Sequence, residues 1–322
     1  NNVWLVCFVD DFLITGIDYE IENLVKHLKS EFDAKDLGEL QSFLGVEIIR
    51  KEHSIELNQR NLISKIVSKF RLEDAKGIST PLELNFKIDV EDEVCDAPYR
   101  ELVGSLNYLA MVSRPDICYA AAYLGRFFNN PTVSAWKAAK RTLRYIKATQ
   151  HYNLTFVKKK PPDLDATSPI VAYSDADWGS DVTDRKSVSG AAIFYNDKLI
   201  SWSSKKQQTV ALSSAEAEYQ SAALCATELL FLMKLAADFQ QRPIGAVLKV
   251  DSQSAIYMMK NYENSKRSKH IDIKFHFLKD LIISKTIIVQ YVSTELNIAD
   301  VLTKSLSVVK FRFFVKELCL QD

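Results

Sequence analysis

Four acidic residues fall where apolar segments end, and together they have the chemistry to hold a hard divalent cation. The stretch SPIVAYSDADW, residues 168–178, carries a strand-forming run at 170–173 onto Asp175 and Asp177, just before the turn residue Gly179. In LSSAEAEYQSAALCATELLFLMKLAADF, Ser213 opens a long segment of helical period with Glu216 in its first turn. In AVLKVDSQSAIYMMK, a short apolar strand delivers Asp251 just before Ser252 begins another helical pattern. In IIVQYVSTELNIADVLTKSL, a strand at 287–292 is followed by Asp300 near the start of the last helix. Carboxylates at the ends of rigid elements form an all-oxygen donor set of the kind Mg²⁺ selects. Each has a local alternative: a solvated turn for Asp175 and Asp177, a capping box for Ser213 with Glu216, and a helix N-terminus favouring Asp251 and Asp300. Four such acids in succession outweigh four unrelated local roles. Ser174, Ser213, Ser252 and Gln253, close to the acids in sequence, are candidates for substrate contact.

The elements that must bring these acids together read as strands at 170–174, 188–195 and 199–203, a long helix, a strand at 247–250, two helices of which the second covers 271–283, a strand at 286–292 and a last helix. NDK between the second and third strands is a hairpin turn. Three strands in meander followed by alternating helices and strands give a mixed sheet with helices on its faces.

The order Asp175, Glu216, Asp251, Asp300 resembles the four carboxylates of a ribonuclease H domain. The phrases YSDADWGSD, DRKSVSGAAIFYNDKLISWSSKKQQTVALSSAEAEY, DSQSAIYMMKN, RSKHIDIKFHFLKD and IADVLTKSL resemble the Pol polyprotein of copia-type LTR retrotransposons. The likeness covers essentially the whole chain. It implies an α/β fold: a ribonuclease H-like mixed five-stranded sheet with flanking helices, preceded by an α+β reverse-transcriptase palm remnant and a mainly helical thumb and connection region. The segments would be 1–85 for the end of the palm and start of the thumb, 86–160 for the thumb and connection, and 165–322 for ribonuclease H. By resemblance, Asp175, Glu216, Asp251 and Asp300 are catalytic and hold about two Mg²⁺ ions, with Mn²⁺ a substitute, for hydrolysis of the RNA strand of an RNA:DNA hybrid. No side-chain nucleophile is needed, and there is no GxSxG or phosphate-cradling Gly-rich loop. One departure stands out: the loop VSTELNIAD before the last acid is short and lacks the His found there in retroviral and bacterial ribonucleases H, leaving Glu295 as a surface residue.

Ahead of this module, VWLVCFVDDFLIT sets Asp10 and Asp11 between two apolar runs, where their charge would be costly without a metal or a partner. FVDD resembles the polymerase hairpin of reverse transcriptases, with Phe8 where the family often has Tyr. The third Asp of that site comes from an upstream strand, so this stretch alone is not expected to polymerise. Helical spacing follows at 19–32, two strands at 43–50 and 54–57 around the turn KEHS, and an amphipathic helix with Leu62, Ile66 and Phe70 inward, ended by Gly77 and Pro81. IDVEDEVCDAP, residues 88–98, reads as an exposed linker, SRPDI breaks the next helical run and resembles a family signature of the thumb and connection, and KKKPPDLDATSP is the best boundary in the chain.

The chain has 322 residues with 47% hydrophobic content, enough for two or three cored domains, and a formal net charge of +0. Charge distribution is more informative than the total. No acid lies between Asp116 and Asp163, and on the helix PTVSAWKAAKRTLRYIKATQ the residues Lys137, Lys140, Arg141, Arg144 and Lys147 lie opposite a stripe of Trp136, Ala139, Leu143 and Ile146. That face suits a phosphate backbone, with an ordinary solvated face as the alternative. The five cysteines share no CxxC spacing and read as reduced core thiols, and His270 and His276 as structural. No run of about 18 apolar residues and no signal peptide is present, so no membrane is expected. The expected setting is cytoplasmic, by resemblance in retrotransposon particles, with the rest of the Pol polyprotein, template-primer and RNA:DNA hybrid as partners. The lack of an initiating Met suggests a piece of a longer protein. Two other readings stay open: a noncatalytic nucleic-acid-binding remnant of a decayed element, and a structural subunit completing a polymerase supplied by another chain.

Overall fold

A computed structural model of the chain describes residues 3–158, 169–261 and 269–321; the side chains of 261 and 269–275 stand outside that description, as does most of the expected boundary KKKPPDLDATSP. In chain order the elements are β1 (Trp4–Phe8), β2 (Asp11–Thr15), α1 (Asp18–Glu31), β3 (Ser42–Phe43), β4 (Val46–Arg50), β5 (Ser54–Asn58), α2 (Arg60–Lys69), α3 (Tyr99–Val112), a 3-10 turn (Pro115–Ile117), α4 (Cys118–Gly125), α5 (Val133–Ala148) and β6 (Asn153–Val157). There follow β7 (Ile170–Asp177), β8 (Val188–Tyr195), β9 (Lys198–Lys206), α6 (Ser214–Gln240), β10 (Ala246–Val250), α7 (Gln253–Asn261), α8 (Lys269–Ile283), β11 (Ile287–Tyr291), a second 3-10 turn (Ile298–Leu302), α9 (Val308–Glu317) and β12 (Leu320–Gln321).

The second half builds the mixed five-stranded sheet that the pattern predicts, in the order β11-β10-β7-β8-β9. β7, β8 and β9 are antiparallel neighbours, whereas β10 runs parallel to both β7 and β11. Asn196 and Asp197, both at positive φ (47° and 61°), make the tight turn between β8 and β9, the backbone twist a two-residue hairpin needs. β8 is buried along nearly its whole length because both its faces are covered. Ala191 and Ile193 enter the core under α6, and the alternating Val188, Ala192 and Phe194 enter the core on the other side.

That other face is covered by the first half of the chain. One apolar core runs from Ile63 in α2 through α3, α4 and α5 to Phe314 in α9 and Leu320 in β12. β12 pairs with β6, which extends the sheet of β5, β4 and β3, so the C-terminus closes a layer begun at Ser42. Trp202 of β9 donates from its indole nitrogen to the Ala110 carbonyl of α3 at 2.7 Å. The break at SRPDI has a physical cause: Arg114, fully buried, holds Asp116 with two hydrogen bonds (3.0 and 2.7 Å) and reaches the Thr149 carbonyl, while the Tyr145 hydroxyl donates to the same carboxylate at 2.5 Å. A buried charge is tolerable only with such complete pairing.

The segment 88–98 is mostly exposed, as expected of a linker, but it is tied down at two points: Ile88 is buried and its N–H meets the Tyr123 hydroxyl, and the Asp92 carboxylate accepts from the Ser134 N–H at 2.7 Å. One expectation is corrected: of the five cysteines, read as mostly core, only Cys225 is buried. On α2, Ile66 is buried with Ile63 and Val67, and Leu62 and the capping Phe70 pack against the same core while only partly covered. Among the described residues no helix is long and apolar enough to cross a membrane.

Two junctions bear directly on the second half. Gly190 of β8 is approached so closely by the turn Ile298–Leu302 that a Cβ there would stand 2.7 Å from Thr303 Cγ2 and 2.9 Å from the Ala299 carbonyl oxygen. Gly190→Ala is therefore expected to cost about 1–3 kcal/mol in urea unfolding, the range for overpacking a filled interior; an unchanged midpoint would show that the turn moves freely. At the other junction, Asp181 accepts from Arg126 at 3.1 Å and pairs with Lys206 at 2.6 Å. Burial works to raise the Asp181 carboxyl, but hydrogen bonds from Lys206 and the Thr183 N–H, with the charges of Lys206 and Arg126, bring it down to about 2. A depressed acid stabilises the fold above its unfolded value and loses that contribution as pH falls through the folded one. Wild type should thus lose stability relative to Asp181→Asn between about pH 4 and about pH 2 in unfolding titrations; parallel curves would contradict the pairing.

Candidate metal centre

Three of the acids converge. Asp175, Asp251 and Asp300 each place a carboxylate oxygen within 4.8 Å of the others. Asp175 lies on β7 opposite Gly190 and is 2% exposed; Asp251 follows β10, the parallel neighbour of β7, and is half-buried; Asp300 is fully buried in the 3-10 turn after β11. Asp300 therefore belongs to that turn and not to the last helix, which begins at Val308. Asn297 fixes the turn against the sheet, donating from Nδ2 to the Ser174 carbonyl at 2.9 Å and accepting from the Ala299 N–H. The Thr303 hydroxyl donates to Asp175, joining the turn to β7 a second time.

Glu216 is not part of this group. Ser213 caps α6 by accepting from the Glu216 N–H, and the Glu216 carboxylate turns back to the N–H of Leu212, the residue before the cap, at 2.8 Å, a variant of the capping box. The further buried carboxylate beside the cluster is Glu218, 7% exposed, which feels the charges of Asp175 and Asp251 and accepts from the Ala176 N–H at 3.3 Å through Oε1. Its other oxygen, Oε2, is buried without a hydrogen-bond partner. The cap itself was the signal in the sequence: it commits Glu216 to the helix end and leaves the acid two residues on free to point inward.

The electrostatics follow from crowding. Burial raises the Asp175 carboxyl, and Asp300 and Asp251 raise it further against the opposing charge of Lys304. Burial, then Asp175 and Asp251, push Glu218 well up. Asp177, two residues along β7, is also raised by burial. Two unit charges about 4 Å apart repel by about 4 kcal/mol at an effective dielectric near 20, so a cation is the natural occupant of such a cluster. An all-oxygen donor set in which two buried oxygens, Glu218 Oε2 and Asp300 Oδ1, lack a hydrogen-bond partner fits a hard divalent ion. Asp175, Asp251, Asp300 and Glu218 are the residues that would hold it. Lys304 and Lys310, which sequence reasoning passed over, also reach the cluster: Lys304 lies 2.9 Å from Asp300 Oδ1, and Lys310 pairs with Asp300 Oδ2. The i,i+4 spacing of Asp300 and Lys304 was visible in the sequence.

The remaining candidates lie elsewhere. Ser174 bonds Ser221, Ser213 caps α6 and Ser252 accepts from the Ala255 N–H; Gln253 and Glu295 are exposed. His276 is exposed, and the side chain of His270 lies outside the described residues. Asp10 sits at the tip of the β1–β2 hairpin and Asp11 opens β2, both exposed. The expected cost of burying them does not arise, because Leu5, Val6, Phe8, Val9 and Phe12 are themselves exposed, while Trp4 packs on Phe239 of α6 with ring centroids 4.3 Å apart. The basic face of α5 is largely engaged. Arg141 pairs with Glu83 at 3.2 Å, Arg144 donates to the Lys76 carbonyl, Lys147 to the Glu73 and Ala75 carbonyls, and Lys140 lies over the Trp136 ring. Arg144 and Lys147 thus satisfy carbonyls of the loop after α2, and Lys137 is the exposed member of the set.

Residues 1–84 match the family model described as reverse transcriptase (RNA-dependent DNA polymerase). The chain is 36% identical over 332 residues to the retrovirus-related Pol polyprotein from transposon TNT 1-94 of Nicotiana tabacum, covering 99% of this chain and 24% of that protein. It is 37% identical over 321 residues to the corresponding polyprotein from transposon RE1 of Arabidopsis thaliana, covering 98% and 21%. An uncharacterized mitochondrial protein of Arabidopsis thaliana is 35% identical over 230 residues, 70% of this chain and 93% of that one. The chain thus spans about a quarter or less of the length of the curated polyproteins it matches. Among solved structures, an RNase H1 isolated from compost aligns at 16% identity and a TM-score of 0.33, covering 42% of this chain and 93% of that one. The chain belongs to the retrovirus-related Pol polyprotein family of copia-type transposons.

Proposed function

We propose that residues 165–322 form a divalent-metal-dependent ribonuclease H that hydrolyses the RNA strand of an RNA:DNA hybrid, following the end of a reverse transcriptase in a Pol polyprotein. The observation that carries this reading is the convergence of Asp175, Asp251 and Asp300 within 4.8 Å, with the buried Glu218, one of whose oxygens lacks a hydrogen-bond partner, feeling the charges of Asp175 and Asp251. Bound Mg²⁺, in one or two ions and with Mn²⁺ as a substitute, supplies activation of water and stabilisation of the departing oxygen. The chain's own contribution is placement: β7, β10 and the Asn297-anchored turn hold their acids on rigid backbone, and the Ala176 N–H orients Glu218. Glu218 takes the fourth position first expected for Glu216. Of the basic helix, Lys137 is retained as a phosphate contact. Asp10 and Asp11 would complete a polymerase centre only with an upstream strand, so no polymerisation is assigned to this stretch by itself.

The test is cleavage of a labelled RNA strand in an RNA:DNA duplex by the full chain with Mg²⁺. Asp251→Asn and Glu218→Gln should each lose about 100-fold or more with the fold retained by circular dichroism, whereas Glu216→Gln should keep its rate. Unchanged cleavage by Asp251→Asn removes that residue from the centre, and loss in Glu216→Gln with retention in Glu218→Gln reverses the assignment. Hybrid binding by wild type without cleavage would favour the decayed, binding-only alternative.

A further inference from the structure

Two ammonium groups reach into the acidic cluster, and they do so differently. Lys304 follows the turn that carries Asp300 and stands four residues from it, so its side chain folds back over the same turn. Its Nζ lies 2.9 Å from Asp300 Oδ1 and 3.6 Å from Asp175 Oδ2, between acids that come from separate elements. A divalent ion shared by Asp175 and Asp300 would have to use the same space. Lys310 comes from α9 and meets only Asp300, at its other oxygen, and it is held from behind by the Thr294 carbonyl at 3.4 Å and by the Phe314 ring. The Lys304 side chain keeps about a third of its surface in water (34%), so it has an outward path.

We propose that Lys304 is a resident counter-cation of the centre: it neutralises Asp175 and Asp300 until a divalent ion arrives and is displaced by it, while Lys310 stays on Asp300 and fixes its orientation. The inference rests on the metal-centre reading above. Buried, closely spaced carboxylates are tolerated only when a cation or a proton neutralises them, and the ammonium seated between Asp175 and Asp300 is the cation present. Geometry selects Lys304, because it bridges the two acids, as the group that must leave. Metal affinity is then set by a competition inside the protein. The ammonium keeps the pocket folded before loading and weakens every divalent ion that enters.

The experiment is Mn²⁺ titration by calorimetry of the full-length wild type, Lys304→Met and Lys310→Met, beside thermal unfolding of each in EDTA. Lys304→Met should bind Mn²⁺ about tenfold more tightly than wild type, unfold at lower temperature in EDTA, and regain its stability with Mn²⁺; Lys310→Met should tighten binding less. In the wild type, the Lys304 ammonium signal in ¹H–¹⁵N spectra should be protected from exchange in EDTA and lose that protection on adding Mg²⁺, a readout that needs no variant. Equal or weaker Mn²⁺ binding by Lys304→Met, equal tightening in both variants, or an ammonium signal indifferent to Mg²⁺ overturns the proposal. If neither wild type nor Lys304→Met binds Mn²⁺, the metal-centre reading itself fails, an outcome distinct from a wild type that binds and a variant that gains nothing.

Discussion

The structure of the second half turns on one constraint: closely spaced carboxylates taken out of water must be neutralised. Asp175 and Asp300 are almost fully buried, Asp251 closes on them, and Glu218 leaves an oxygen without a donor. No packing gain requires acids at these positions, and apolar residues of similar size would cost less. Their retention in a filled interior makes sense if the repulsion itself has a use, which is to select and hold a cation. Burial, and after it the same repulsion, raises the protonation equilibria of Asp175 and Glu218, and the cluster's charge draws in Lys304 and Lys310.

The rest of the fold supplies the rigidity that such a cluster needs. Each acid is attached to backbone that is fixed twice, once by its own element and once by a neighbour. β7 is hydrogen-bonded on both sides, by β8 and β10. The Asp300 turn is clamped to β7 by Asn297 and pressed on Gly190 of β8. Helices from the first half of the chain, with α9, fill the sheet's second face, so the first half forms part of the scaffold behind the acids. Asp181, between Arg126 and Lys206, ties the two parts together at the surface.

Much of this was legible in the sequence, for identifiable reasons. The five strands of the sheet have strong apolar runs bounded by turn residues, and all five form, the first three in meander as the pattern implies. Asp251 sits just past a strand end, as its pattern implies, whereas β7 runs on beyond the expected end and carries Asp175 within it. Glu216 was misplaced because one stretch, SSAEAE, contains both a cap acid and an inward acid, and period alone does not separate residues two apart at a helix start. The α5 basic face failed as a free surface because the donors are consumed by carbonyls of a distant loop, a tertiary demand that no local pattern encodes. The apolar β1–β2 hairpin read as buried, yet the described fold leaves most of it exposed. Lys304 was missed for the opposite reason: a lysine four residues after an acid is ordinarily a solvated helix pair, and only the burial of Asp300 gives it weight.

The central claim, that Asp175, Glu218, Asp251 and Asp300 form one cation site, is tested most directly by anomalous diffraction from crystals of the chain soaked in Mn²⁺. The account predicts an anomalous peak enclosed by these four side chains, with Glu218 moved onto it and Glu216 still bonded to the start of α6. No peak at the cluster, or a peak bound through Glu216, would contradict it.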